Sequence, residues 1–199
     1  MTVQNNIFIR LQRQGRGKVY CLNDFLDLGS RNAIGVALYR LTLKGILRRI
    51  GPGVYDYPKM SPIIGPLSPD IKASLDTYAR KNGCVFTPHP LSAAHSLHLT
   101  TQVPVMLTYL TDGVSHTLTL GGVKVQFIHT CPKKLVGAGK KAGIVIQALR
   151  YFGNKNIPNA VLKKIAANLN NNDQKDLRAI RLKTIKGLIP YIDKILSYA

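Results

Sequence analysis

Five histidines (His89, His95, His98, His116, His129) and three cysteines (Cys21, Cys84, Cys131) are the residues of this sequence best suited to metal or nucleophile chemistry. A structural zinc site needs closely paired ligands such as Cys-x-x-Cys, and the cysteines here are widely separated. His95 and His98 stand at i, i+3 and share a helix face, a spacing that describes surface neighbours as readily as ligands. His129 and Cys131 invite a Cys–His nucleophile reading. Alternation along a strand gives the same spacing with no chemistry attached. Gly137-Ala-Gly-Lys-Lys-Ala-Gly143 has the texture of a phosphate loop. It departs from that pattern at both ends: Lys134 stands at the first glycine position, and Lys141 replaces the Ser or Thr that holds magnesium. What remains is a flexible, basic entry to a helix. All nine acids are Asp, with no Glu, and they read as scattered rather than as the clustered carboxylates a metal-dependent nuclease requires. The expectation is therefore a chain that is no enzyme and holds no metal or cofactor.

Charge points elsewhere. Lys and Arg total 28 against 9 acids, a formal net charge of +19. Such an excess concentrates polyanions at the surface and costs self-repulsion, so solubility alone is a poor account of it. A basic balance of this size is the electrostatic footprint of nucleic-acid binding. The odd, dispersed cysteines suggest a reducing compartment rather than a disulfide framework. The first residues lack a basic-then-apolar signal pattern, and no apolar run approaches membrane-spanning length. A soluble, cytoplasmic protein with no membrane partner is expected.

The first 58 residues parse into elements that would carry such binding. Residues 3–13 predict a helix with Ile7, Phe8 and Leu11 on one face, stopped by Gly15 and Gly17. Residues 18–22 read as extended. Asn23 or Asp24 caps a short helix bearing Phe25, Leu26 and Leu28, and Gly29 ends it. Ser30 caps a third helix, in which Ile34, Ala37, Leu38 and Leu41 form a core-facing stripe at i, i+3, i+4 and i+7. Gly45 suits its exit. Residues 46–50 and 54–57 flank Gly51-Pro52-Gly53 as a hairpin. Helix, helix, short turn, helix and hairpin is the order of a winged helix-turn-helix domain.

The outward face of the third helix holds the candidate contacts. At 100° per residue, Asn32, Val36 and Tyr39 point away from the apolar stripe, with Arg31 in the first turn and Arg40 on the flank. Asn suits adenine, Arg suits guanine or phosphate, and Val suits a thymine methyl. Arg48 and Arg49 lie on the hairpin, where phosphates or a minor groove would pass. Ser30, Arg31, Asn32, Val36, Tyr39, Arg40, Arg48 and Arg49 are thus the expected DNA-binding set.

Residues 59–67, rich in Pro and Gly, read as a linker to a second domain over 68–199. There Ser68-Pro69 starts a helix to about Asn82, with Ile71, Leu75, Tyr78 and Ala79 inward. Residues 84–87 look extended, and 91–99 form a short helix. Residues 103–111, 117–120 and 123–129 read as strands; Asp112–Ser115 joins the first two and Gly121-Gly122 makes a hairpin of the next pair. Residues 142–152 and 158–169 read as helices. Asp173 caps a further helix, and Pro190 separates it from a last one. The fold class is α+β, a winged helix-turn-helix domain followed by a mixed α+β domain with a helical C-terminal end.

Certain motifs, in their order, resemble a known family. Phe25-Leu-Asp-Leu-Gly-Ser-Arg31, Ala37-Leu38-x-Arg40-Leu41, Gly45-x-Leu47-Arg48-Arg49 and Gly53-Val-Tyr-Asp-Tyr-Pro58 resemble the winged-helix half of the AbiEi-type antitoxins of type IV toxin–antitoxin systems. Gly65-Pro-Leu-Ser-Pro69, Thr101-Gln-Val-Pro104, Tyr109-Leu-Thr-Asp-Gly113, Pro132-Lys-Lys-Leu135 and Gln147-Ala-Leu-Arg150 extend the resemblance over nearly the whole chain. The resemblance implies a transcriptional repressor that autoregulates its operon by binding promoter repeats in duplex DNA. It also implies a second half that counters a nucleotidyltransferase toxin without needing a stable complex with it. It assigns no residue to that antitoxic activity.

Two other readings stay open. Residues 136–199 carry a net charge of +9 and motivate an RNA-binding module, for instance for tRNA, working through the basic C-terminal helices. Lys133, Lys134, Lys140, Lys141 and Arg150 are the candidates for that second nucleic-acid surface. An enzyme with a site cryptic to motif reading is the other alternative.

Overall fold

Thr2 opens the first helix by accepting from the Asn5 backbone N–H, and Gly15 closes it at positive φ. The computed structural model describes residues 2–153 and 156–198. Helix α1 (Val3–Gln14) buries Ile7 and Leu11 completely. Strand β1 (Lys18–Cys21) follows, then a 3-10 helical turn over Leu22–Leu28 that buries Phe25. Leu26 is exposed, and Leu28 is half-buried and packs against the core beside Phe25. Asp24 caps it by accepting from the Cys21 N–H at 2.8 Å.

Helix α2 (Arg31–Leu43) begins at Ser30, whose hydroxyl accepts from the Ala33 N–H at 3.3 Å. Ile34, Ala37, Leu38 and Leu41 are its buried face. With Ile7, Leu11, Tyr20, Phe25, Leu47 and Tyr57 they make one core. Each such Leu, Ile or Phe contributes about 1.5–3 kcal/mol by leaving water. Strands β2 (Arg48–Gly51) and β3 (Val54–Tyr57) form the expected hairpin. The strand order is β1-β3-β2, antiparallel throughout, with a register shift between Arg49 and Gly51.

The stretch read as a linker is not structureless. Strands β4 (Met60–Ser61) and β5 (Gly65–Pro66) pair as a miniature hairpin. Helix α3 (Ile71–Asn82) is capped by Asp70, two residues later than Ser68-Pro69 suggested, and ends on the left-handed Gly83. Its inward face is Ser74, Leu75, Thr77 and Tyr78, with Ile71 and Ala79 only half-buried. The Thr77 hydroxyl donates to the Val19 carbonyl and Arg80 pairs with Asp24 at 3.2 Å, so α3 packs against the N-terminal elements. The chain accordingly divides into two compact units at Gly83 rather than across 59–67. The first is Met1–Gly83 with Leu118–Lys124, and the second is Cys84–Thr117 with Val125–Ala199.

The second unit is mixed α+β with a helical C-terminal end. After Gly83 the chain forms β6 (Phe86–Pro88), α4 (Pro90–Ser96), β7 (Leu107–Thr111), β8 (His116–Leu120), β9 (Val123–His129), α5 (Lys141–Phe152), α6 (Asn159–Ala167), α7 (Asn171–Ile180) and α8 (Ile189–Tyr198), with residues 118–124, the end of β8 and the start of β9, belonging to the first unit. The sheet order is β6-β7-β9-β8, and β7 runs parallel to β9. Strands β7 and β8 are therefore not neighbours, although only a short turn joins them. Asp112 holds that turn by accepting from the Val85 N–H at 2.8 Å. Asn170, not Asp173, caps α7; Asp173 sits three residues on and completes a capping box. Pro190 lies in the first turn of α8 rather than between helices, where its missing N–H costs nothing. Ala142, Val145, Ile146, Ala148 and Leu149 of α5 anchor a core with Ala93, Ala94, Leu162, Ile165, Leu177, Ile192 and Ile195.

Candidate nucleic-acid interface

Helix α2 sets the geometry. Burying Ile34, Ala37, Leu38 and Leu41 forces the opposite stripe outward, and Arg31, Asn32, Val36, Tyr39 and Arg40 are all exposed. The apolar members are bare: Val36 is 49% exposed, Tyr39 61% and Leu43 69%. Leu43 continues the Asn32–Val36–Tyr39 row at i+11 and was missed by the sequence reading, though the same rotation reaches it. The opening of α1 lies alongside: Thr2, Val3 and Gln4 join Asn32, Ala33, Val36, Ala37 and Arg40 around a cleft of about 410 Å³.

The electrostatics follow from where the acids go. Residues 1–58 contain three, Asp24, Asp27 and Asp56. Asp27 takes Arg10 at 2.5 Å, Asp24 takes Arg80 and Asp56 takes Arg48 at 2.6 Å. Hydrogen bonding from Arg10 holds the Asp27 carboxyl below its ordinary range. Arg16 stacks over Tyr57 at 4.8 Å and donates to the Pro58 carbonyl. Among the described residues, Arg31, Arg40, Lys44 and Arg49 are left with no carboxylate within ion-pair distance. Lys44, the C-terminal cap residue of α2, was also missed by the sequence reading.

Arg48 departs from expectation. Its guanidinium donates to Asp56 and to the Leu67 carbonyl at 2.7 Å, and its Nε is buried without a partner. Asp56 is 1% exposed, and burial raises its pKa against the opposing pull of Arg48. Arg48 is thereby a structural cation, whereas Arg49 next to it is exposed and bonds only weakly to the Gly51 carbonyl. The tip of the same hairpin gains a cation from α3: Lys81 Nζ donates to the Pro52 carbonyl at 2.8 Å. Sequence distance hid that contact.

The second basic set divides too. Lys140 pairs with Asp176 at 2.6 Å, and Lys141 with Asp173 at 3.6 Å and with the Asn168 carbonyl. Asp173 and Asp176 do stand one helical turn apart, so the acids are not all scattered, but lysines occupy both. The Gly137–Gly143 loop folds onto its own helix, with the Gly137 carbonyl over Gly143, which leaves no room there for a side chain. Lys133 and Lys134 are exposed and Arg150 is half-buried. His129 Nδ1 lies 2.9 Å from the Gly113 carbonyl, in the β7–β8 turn. Among the described residues no three His, Cys or Asp side chains cluster as metal ligands, and no helix is long and apolar enough to cross a membrane.

A family model described as a family of unknown function (DUF6088) matches residues 6–177, and the chain belongs to that family. No curated protein matches the chain.

Proposed function

We propose that this member of the DUF6088 family is a DNA-binding regulator whose first unit is a winged helix-turn-helix, with α2 as the recognition helix and the β2–β3 hairpin as the wing. One observation carries the reading. The exposed face of α2 mixes Asn32, Val36 and Tyr39 with unpaired Arg31, Arg40 and Lys44, while every acid of residues 1–58 is bound elsewhere. An exposed helix face needs no Val, Tyr and Leu for solubility; a base edge and a thymine methyl need them. The α1 amides beside the cleft suit a phosphate, and Arg49 with Lys81 at the wing suits the next one along the backbone.

The resemblance to the AbiEi antitoxins extends the proposal to autoregulation through promoter repeats. It also gives the second unit the task of countering a nucleotidyltransferase toxin without a stable complex. Footprinting of the duplex upstream of the protein's own gene tests the DNA-binding core. Wild type is expected to protect repeated sites, and an Asn32→Ala/Tyr39→Ala double variant to lose them. An undiminished footprint in that variant removes α2 from the interface.

A further inference from the structure

Arg150, in the last turn of α5, is a half-buried guanidinium with an unusual set of neighbours. Gln147, one turn earlier and fully buried, accepts from Arg150 Nη1 at 3.1 Å and donates to the Lys134 carbonyl at 2.5 Å. One amide thus ties the turn over residues 132–134 to α5 and orients the arginine beside it. Among the described residues no carboxylate lies within ion-pair distance of Arg150. Lys133 and Lys134, also without acid partners, stand on the same turn. Desolvation lowers the Arg150 pKa, and burial followed by the Arg150 charge lowers that of His89.

A partly desolvated cation without a counter-charge costs free energy that an anion would recover. The planar fork of arginine fits two oxygens of a tetrahedral oxyanion, and two flanking lysines favour a dianion over a carboxylate. We propose that the second unit holds a phosphate-binding site in which Arg150 takes two phosphate oxygens, Lys133 and Lys134 close the rim, and Gln147 positions the arginine. The phosphate belongs either to inorganic phosphate or to the 5′ end of a nucleic-acid strand, which share this chemistry.

Thermal unfolding of the full chain tests it, in a buffer free of oxyanions and with matched chloride as control. Inorganic phosphate at about ten times its Kd raises the wild-type Tm by roughly 3–5 °C. In Arg150→Met that rise vanishes, and Arg150→Lys keeps part of it. Without phosphate, Arg150→Met loses its hydrogen bond to the buried Gln147 oxygen, so each variant's phosphate response is read as the shift from its own oxyanion-free Tm. Lys133→Gln/Lys134→Gln, on the exposed rim, halves the rise or more while leaving the oxyanion-free Tm unchanged. Single-stranded oligonucleotides with and without a 5′ phosphate separate the two sources. An Arg150-dependent rise with inorganic phosphate assigns the free ion, and one confined to the phosphorylated oligonucleotide assigns the strand end. Equal Tm responses of wild type and Arg150→Met to every oxyanion overturn the proposal.

Discussion

Arg48 Nη2 lies 2.6 Å from Asp56 Oδ2, across a pair of residues directly opposed in the β2–β3 ladder. The register shift between Arg49 and Gly51 creates this opposition. Counting back from Gly51↔Val54 would set Arg49 against Asp56; the bulge moves the pairing by one residue and gives Asp56 to Arg48. The acid is buried and the arginine still partly open, so two adjacent arginines receive different work.

Arg48→Ala should damage folding rather than DNA contact. It strands a buried carboxylate, and a loss of about 2–3 kcal/mol is expected, less than the ~3–5 of a fully buried pair because Arg48 is 37% exposed. Urea unfolding measures it. Arg49→Ala should leave the midpoint within about 0.5 kcal/mol of wild type. Equal losses in the two variants would refute the division.

The pH dependence of Asp56 should be opposite in sign to that of the surface Asp27. Burial raises the folded pKa of Asp56 above its ordinary value of 3.8, so the folded state holds that proton more tightly. Its contribution is complete below 3.8 and falls as pH rises through the folded pKa. Asp27 is lowered, mainly by the Arg10 hydrogen bond, so its contribution is complete above 3.8 and lost as pH falls. Wild type minus Asp56→Asn should therefore shrink as pH climbs from 3 to 6, and wild type minus Asp27→Asn should grow. Urea midpoints across that range check both trends.

Duplex binding should follow salt with a slope set by the free cations. Arg31, Arg40, Lys44 and Arg49, each meeting one phosphate, give a log–log slope of about −3.6. Arg49→Ala should reduce it by about one and weaken all sequences alike. Fluorescence anisotropy between 50 and 300 mM salt is the measurement, and a slope near zero would sink the interface.

Asn32→Ala should act on sequence instead. Losing a bidentate contact costs about 1–3 kcal/mol at one base pair and leaves the salt slope unchanged. Affinities for a panel of single-base operator variants would show one position made indifferent.

Gly143→Ala should destabilise the second unit by about 1–3 kcal/mol, because the new methyl meets the Gly137 carbonyl. Gly139→Ala meets nothing within 4 Å but carries a positive φ, so its cost is conformational and smaller. Thermal unfolding of the two variants ranks them.

Local geometry is what the sequence determined by itself. Rotation at 100° per residue turns Ile34, Ala37, Leu38 and Leu41 inward and so turns Asn32, Val36 and Tyr39 out, whatever else the chain does. Ser30 caps α2 and Gly15 ends α1 by interactions within four residues, and the charge excess is a sum over composition. Tertiary structure decided which charges remain available. Arg48 and Arg49 are indistinguishable by type and neighbours, and a bulge separates their roles. Lys140 and Lys141 read as free cations until α7 brings Asp176 and Asp173 to them. Residues 71–82 read as the start of a second domain until Thr77 and Arg80 bind Val19 and Asp24. The parallel pairing of β7 with β9 likewise needed the whole sheet. Each of these depends on a partner outside the local window, whose meeting is fixed by packing within its unit and not by any periodicity a short window contains.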